Sequence, residues 1–203
     1  MTLTQSLDTG IRRAGAADRK AVAATVAAGF FDDPVTQWLL PDVQLRREVI
    51  LPMFEVYIDA YLPHGETYLT GDGNGAAVWL PPGAELLAAE QEQPFVDALA
   101  TLMGSGVDRL FRLEVTFAEH HPAEPLYYCN FLSTVPAFQG RGIGSALLRD
   151  MLQRADTDGL PAYHEATSPR NRALYERHGY VNLGEFDLPD GGPTLWRMWR
   201  DPR

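Results

Sequence analysis

The sequence contains a single cysteine, Cys129, so no disulfide can close within the chain, and a cysteine inside an apolar, aromatic run reads as packing. There is no uninterrupted apolar stretch of the roughly 18 residues that a membrane helix needs, so no membrane association is expected. Residues 1–10 lack the basic start and apolar run of a secretory leader, which makes the expected location cytoplasmic. Positive charge is scarce: 17 Lys plus Arg stand against 27 Asp plus Glu, a formal charge of −10. A surface of that sign repels phosphate backbones, and nucleic acid is not an expected partner. His120 and His121 have no ligand spacing with other residues, and no metal is expected.

Two phosphate-binding patterns are absent as well. A dinucleotide fingerprint of the form G-x-G-x-x-G would need Gly at Ser145 if begun at Gly140, or at Leu147 if begun at Gly142. A phosphate loop would need Lys and then Ser or Thr after Gly144, where Ser145 and Ala146 stand. What the chain has is 45% hydrophobic and 22% charged residues over 203 positions, enough for one sizeable core. One domain over 1–203 is expected, with a helical insertion at about 84–120.

Hydrophobic periodicity orders the elements. Residues 11–13 form a short strand, and Asp18 caps a helix with Val22, Val26 and Phe30 on one face, ending before Pro34. A second helix follows Asp42 and carries Leu45, Val49, Phe54 and Ile58, with Pro52 expected to kink or divide it. Extended runs at 66–70 and 76–80 flank Gly71-Asp72-Gly73-Asn74-Gly75, a hairpin signal. Thereafter strands at 127–135, 162–166, 180–187 and 195–199 alternate with helices at 144–155 and 171–178. Strand and helix in alternation imply parallel pairing around a crossover helix, hence a mixed α/β sheet with helices on its faces.

The chemistry concentrates in Gln139-Gly140-Arg141-Gly142-Ile143-Gly144-Ser145-Ala146, between an apolar strand and a helix striped by Leu147, Leu148, Met151, Leu152 and Ala155. Glycines let the backbone turn with positive φ and let a ligand approach, while amides at a helix start attract anions, as a pyrophosphate requires. Gly142 and Gly144 are the expected intolerant positions. This segment, with Val135-Pro136-Ala137-Phe138 before it, resembles the acetyl-CoA motif of the GNAT superfamily of N-acetyltransferases. Asn171-Arg172-Ala173-Leu174-Tyr175-Glu176-Arg177-His178-Gly179-Tyr180 resembles that family's N-x-x-A-x-x-Y-x-x-x-G-F helix, with one residue fewer between Asn171 and Tyr175 than in many members.

The resemblance implies a largely antiparallel mixed sheet with a central parallel pair of splayed strands, flanked by helices. It implies acetyl-CoA as co-substrate, its pantetheine arm on Leu132, Ser133, Thr134 and Val135. The pyrophosphate would lie on Gln139, Gly140, Arg141, Gly142, Ile143, Gly144, Ser145 and Ala146, with Asn171 a further contact. A narrower likeness, clearest over the last 85 residues, is to puromycin-type N-acetyltransferases; it rests on His121-Pro122-Ala123-Glu124-Pro125, on 161–171 and on 175–180, with weaker support from 33–36 and 76–79.

Acetyl transfer to an amine needs a neutral nucleophile, a polarised thioester carbonyl and help for the departing thiolate. Tyr175 matches the family's tyrosine beside the sulfur, able to protonate or hydrogen-bond the thiolate. Backbone N–H groups around Thr134 are the expected carbonyl donors. The strand at 127–135 carries no Asp or Glu where many relatives place one, so Glu165 on the next strand is the expected base, with His164 as substitute. Alternation puts Tyr163, Glu165 and Thr167 on one face and His164 on the other, only one set facing the cleft. The family resemblance puts the acceptor near Phe30, Phe31, Asp32, Asp33 and Trp38, aromatics and carboxylates that suit an amine-bearing, partly apolar molecule. The expected activity is acetylation of a small-molecule amine, puromycin-like or other, by an enzyme that could form a homodimer. A CoA-binding sensor without turnover, a protein or peptide N-acetyltransferase, and a purely structural domain are the alternatives.

Overall fold

The computed structural model describes residues 10–203; residues 1–9, on which the leader reading chiefly rests, lie outside the described part. Seven strands form one sheet: β1 (Arg12–Arg13), β2 (Thr67–Leu69), β3 (Gly75–Leu80), β4 (Tyr127–Thr134), β5 (Ala162–Ala166), β6 (Val181–Asp187) and β7 (Thr194–Arg200), in the order β1-β2-β3-β4-β5-β7-β6. Every neighbouring pair is antiparallel except β4 and β5. The alternation of strands and helices therefore yields a single parallel crossover, through α6 (Ile143–Asp158).

Three helices precede the first hairpin where the sequence suggested two. These are α1 (Arg19–Phe30), α2 (Pro34–Leu39) and α3 (Val43–Tyr61). Pro34 begins α2 rather than only ending α1: Asp33 is the N-cap, its carboxylate accepts the Val35 amide at 2.9 Å, and proline at the first helical position loses no hydrogen bond. Pro52 leaves α3 undivided, as one 19-residue helix. Between β3 and β4 lie α4 (Ala89–Met103) and α5 (Val107–His120), and α7 (Pro169–Arg177) follows β5, capped by Ser168.

The period of two along β3 explains the two cores. Ala76 and Val78 face a cluster built with α1, α3, α4 and α5, while Ala77 and Trp79 face a second cluster with α6, Tyr175 and Tyr180. Burying such aliphatic and aromatic side chains contributes about 1.5–3 kcal/mol each, the main force clamping both layers onto the sheet. α1 comes so close to β4 that a Cβ on Gly29 would lie 2.1 Å from Ser133 Oγ, and the Ser133 hydroxyl donates to the Thr25 carbonyl at 2.8 Å. Among the described residues no helix is long and apolar enough to cross a membrane, and no group of three or more His, Cys, Asp or Glu could hold a metal ion.

Candidate active site

The site begins with an interrupted ladder. β4 and β5 pair only at Tyr127 with Ala162 and Tyr128 with Tyr163, although β4 runs on to Thr134 and β5 to Ala166. The cause lies on the other edge of β4: Val78 pairs with Phe131 and Trp79 with Cys129, so Asn130 is an extra residue, a bulge that bends the strand away. Beyond Tyr128 the two strands diverge, and His164 pairs with the Cys129 carbonyl through Nδ1 where ladder bonds have stopped.

On one side of the divergence lies a groove of about 370 Å³, bordered by Leu132, Ser133, Thr134, Gln139, Gly140, Gly142, Ile143, Gly144, Ser145 and Asn171. Gly140 and Gly142 have φ of 76° and 85°, and Gly142 is the N-cap of α6 with no side chain capping the helix. The first-turn amides of α6 are thus aimed outward, with the positive end of the helix dipole behind them. Gly144 is helical, and its Cβ would meet Leu174 at an ordinary 3.5 Å, so its constraint is space in the groove and not backbone strain. Three expected contacts do not border the groove: Val135 bonds its amide to Asn74, Arg141 lies over the Phe138 ring, and the Ala146 amide is used inside the helix. Sequence reasoning passed over Gly29, Leu174, Arg170 and Arg177, which do border it; the two arginines bring positive charge to an otherwise acidic protein.

On the other side lies a chamber of about 660 Å³ between the sheet, α3 and α5. Phe30 and Asp33 border it, but three of the expected acceptor residues do not. Trp38 is buried and donates its indole N–H to the Pro189 carbonyl at 3.1 Å; Phe31 lies under Arg46; Asp32 is exposed. Trp38 belongs to the core beneath α2 and Phe31 packs against that core, so of the three only Asp32 faces solvent. The Asp33 carboxylate caps α2 and accepts the Thr167 hydroxyl at 2.5 Å, and burial pushes its pKa up. His164 and Glu165 both border the chamber. The expectation that only one face of β5 could reach it fails because the departed β4 leaves the edge of β5 open as well.

Glu165 is 5% exposed. Its Oε2 accepts the Tyr128 hydroxyl at 2.8 Å, while Oε1 has no hydrogen-bond partner among the described residues and lies 3.9 Å from His121 Nδ1. His121, a third exposed, stands edge-on to the Tyr128 ring at 4.7 Å. His164, fully enclosed, has its pKa lowered by burial, so its ring is neutral and its Nδ1–H is committed to Cys129. Tyr175 is 2% exposed, stands 4.3 Å from the His164 ring, and burial raises its pKa well above the usual tyrosine value.

Glu114, Tyr57 and His121 are chamber residues that sequence reasoning missed. For Glu114 there was a signal: it shares one face of α5 with Leu110, Leu113 and Phe117, a carboxylate set in an apolar stripe. It lies exposed on α5 and accepts the Tyr57 hydroxyl at 3.2 Å, a bond that favours its charged form against the nearby charge of Glu165. Phe30, Asp33, Leu132, Asn171 and Tyr175 border both cavities. The groove and the chamber therefore meet at Tyr175, and the main chain at that junction is Leu132 rather than Thr134, which borders the groove alone.

Residues 85–182 match the family model described as Acetyltransferase (GNAT) domain. The chain is 27% identical over 187 residues to an uncharacterised N-acetyltransferase of Schizosaccharomyces pombe, covering 84% of this chain and 73% of that protein. A solved structure of a histone acetyltransferase HPA2 and related acetyltransferase from Corynebacterium glutamicum is 26% identical with a TM-score of 0.72 over 95% of this chain and 96% of that one. The fold is also that of arylalkylamine N-acetyltransferase 2 from Aedes aegypti, at 14% identity, 95% and 98% coverage and a TM-score of 0.65.

Proposed function

We propose that this chain, an acetyltransferase with a GNAT domain, moves the acetyl group of acetyl-CoA to the amine of a small molecule with an apolar or aromatic body. One observation carries the reading: a groove with outward helix amides and a separate chamber with carboxylates and aromatic walls share their borders at Tyr175 and Leu132. The groove suits acetyl-CoA, since uncapped amides at α6 fit a pyrophosphate and the unpaired edge of β4 can take the amides of a pantetheine arm. That disposition brings the thioester to the junction, where a backbone N–H near Leu132 polarises its carbonyl.

Glu165 takes the amine proton on its unpartnered Oε1 as the C–N bond forms and the C–S bond breaks. His121, partly exposed and 3.9 Å away, passes that proton to solvent. Tyr175 donates a hydrogen bond to the departing thiolate. A phenol with a pKa above 10 does not give up its proton outright to a thiolate whose acid ionises near 8.5, so Tyr175 stabilises the leaving group as a donor. The walls favour an acceptor with a flat apolar part, and a puromycin-like aminonucleoside belongs among the candidates.

The test is thiol release from acetyl-CoA with a panel of arylalkylamines, alkyl diamines, aminonucleosides and an N-terminal peptide, with the product weighed by mass spectrometry. An acetylated small amine is the expected product. Acetyl-CoA binding with no thiol release from any acceptor would instead make the chain a sensor, and turnover confined to the peptide would move the acceptor to protein.

A further inference from the structure

Two hydrogen bonds run in one direction through the wall between the groove and the chamber. Asp33 borders both cavities from the head of α2, and Asn171 borders both from the first turn of α7. Between them stands Thr167, which donates its hydroxyl to Asp33 Oδ2 at 2.5 Å and accepts the Asn171 side-chain amide at 3.1 Å. The other Asp33 oxygen accepts the Val35 amide at 2.9 Å. A carboxylate expected to meet the acceptor amine is thus committed within the chain at both of its oxygens.

The direction of the chain follows from what each group can do. An ionised carboxylate only accepts, a threonine hydroxyl has one proton to give, and an asparagine side chain offers either its N–H groups or its carbonyl oxygen. Burial raises the Asp33 pKa, while the Thr167 hydroxyl and the Val35 and Thr36 amides favour the charged form. With Asp33 taking the threonine proton, Thr167 has only lone pairs left for Asn171, which must turn its N–H groups towards them. Asn171 Oδ1 is thereby turned away, and it accepts no hydrogen bond among the described residues. The arm of acetyl-CoA carries amide N–H groups, and an N–H withdrawn from water needs an acceptor.

We propose that Asp33 is a positioning residue for the cofactor: acting through Thr167, it fixes the Asn171 side chain with Oδ1 towards the groove, to accept the pantetheine amide N–H nearest the sulfur. The inference rests on the acetyl-CoA reading of the groove. It also makes the head of α2, on the acceptor side, part of the cofactor site.

Asp33→Asn reverses the chain without removing it. Asparagine is as good an N-cap as aspartate, so the new side chain keeps its oxygen on the Val35 amide and faces Thr167 with its N–H groups. Thr167 must then give its proton to Asn171, whose amide turns over and presents a donor to the donor on the ligand.

The experiment measures calorimetric affinity for CoA, and for 3′-phospho-ADP, the same nucleotide without the arm. The proteins are the parent, Asp33→Asn, Thr167→Val, Thr167→Ser and the Asp33→Asn, Thr167→Val double variant, each with its melting temperature. Asp33→Asn should weaken CoA about 5- to 50-fold, leave the nucleotide unaffected, and raise the acetyl-CoA KM by more than it lowers kcat. Thr167→Ser keeps the hydroxyl and should bind CoA as the parent does. In Thr167→Val there is no proton to redirect, so adding Asp33→Asn to it should alter CoA affinity by about twofold or less. If Asp33→Asn does not fold, the other pair decides: CoA weakened in Thr167→Val and not in Thr167→Ser supports the inference, and parental affinity in both overturns it. Parental CoA affinity in Asp33→Asn, an equal loss for the nucleotide, or the full loss retained in the Thr167→Val background would each overturn the inference and leave acetyl-CoA in its groove. A parent that binds no CoA would bring down the groove reading and this inference together.

Discussion

The Nδ1–H of His164 donates to the main-chain carbonyl of Cys129, one residue past the last ladder pair between β4 and β5. A side chain thus finishes what the backbone begins, and the divergence starts at a fixed place. His164→Leu leaves that carbonyl buried without a partner and should cost about 1–3 kcal/mol in denaturant unfolding. It should also disturb Tyr175, whose ring lies against that of His164.

The same residue predicts a pH dependence. Burial lowers the His164 pKa from the ordinary 6.5, so below pH 6.5 the unfolded chain binds a proton that the folded one refuses. The stability contributed by the neutral, enclosed ring is complete above pH 6.5 and is lost as pH falls from there towards the lowered folded value. Unfolding free energy measured across that window should slope upward with pH, and His164→Leu should flatten the slope. His178, lowered in the same sense, leaves a residual slope in the variant. An unchanged slope would mean that His164 is not kept neutral.

Much of this arrangement was readable because it is local. The Gln139 loop needs positive φ at Gly140 and Gly142, and the leucine stripe after it can only be a helix lying on a sheet. What was not readable depends on distant partners. Trp38 looked like an acceptor residue, and only the fold brings Pro189 to its indole nitrogen. Asp33-Pro34 reads locally as a stop, while in the fold the same pair is also a cap and a first helical residue. His121 carries no spacing signal, because its neighbour Glu165 is 44 residues away by subtraction of their numbers and belongs to a different element. The bulge at Asn130, which opens the site, leaves no mark in composition.

The two loop glycines should separate by experiment. Gly142→Val puts a β-branched residue at φ 85° and should cost about 1–3 kcal/mol of stability as well as cofactor affinity. Gly144→Val, in a helical position bordering the groove, should lower acetyl-CoA affinity in calorimetry with a much smaller drop in melting temperature. Equal affinity in Gly144→Val and the parent would remove acetyl-CoA from this groove.

Glu165→Gln should lower turnover with acetyl-CoA affinity intact. Two acceptors whose amines differ in basicity distinguish the enzyme from the substrate: parental turnover of the more basic acceptor in Glu165→Gln removes Glu165 as base.

The junction itself is tested by Tyr175→Phe, since the ring that closes both cavities is kept and only the hydroxyl is lost. Losing one preorganised donor to a developing negative charge typically costs about 10²–10³ in kcat. Single-turnover acetyl transfer and acetyl-CoA calorimetry on the parent and the variant give the two numbers needed. The account predicts a fall of that size in rate with the acetyl-CoA dissociation constant unchanged; parental transfer rates in Tyr175→Phe would contradict it.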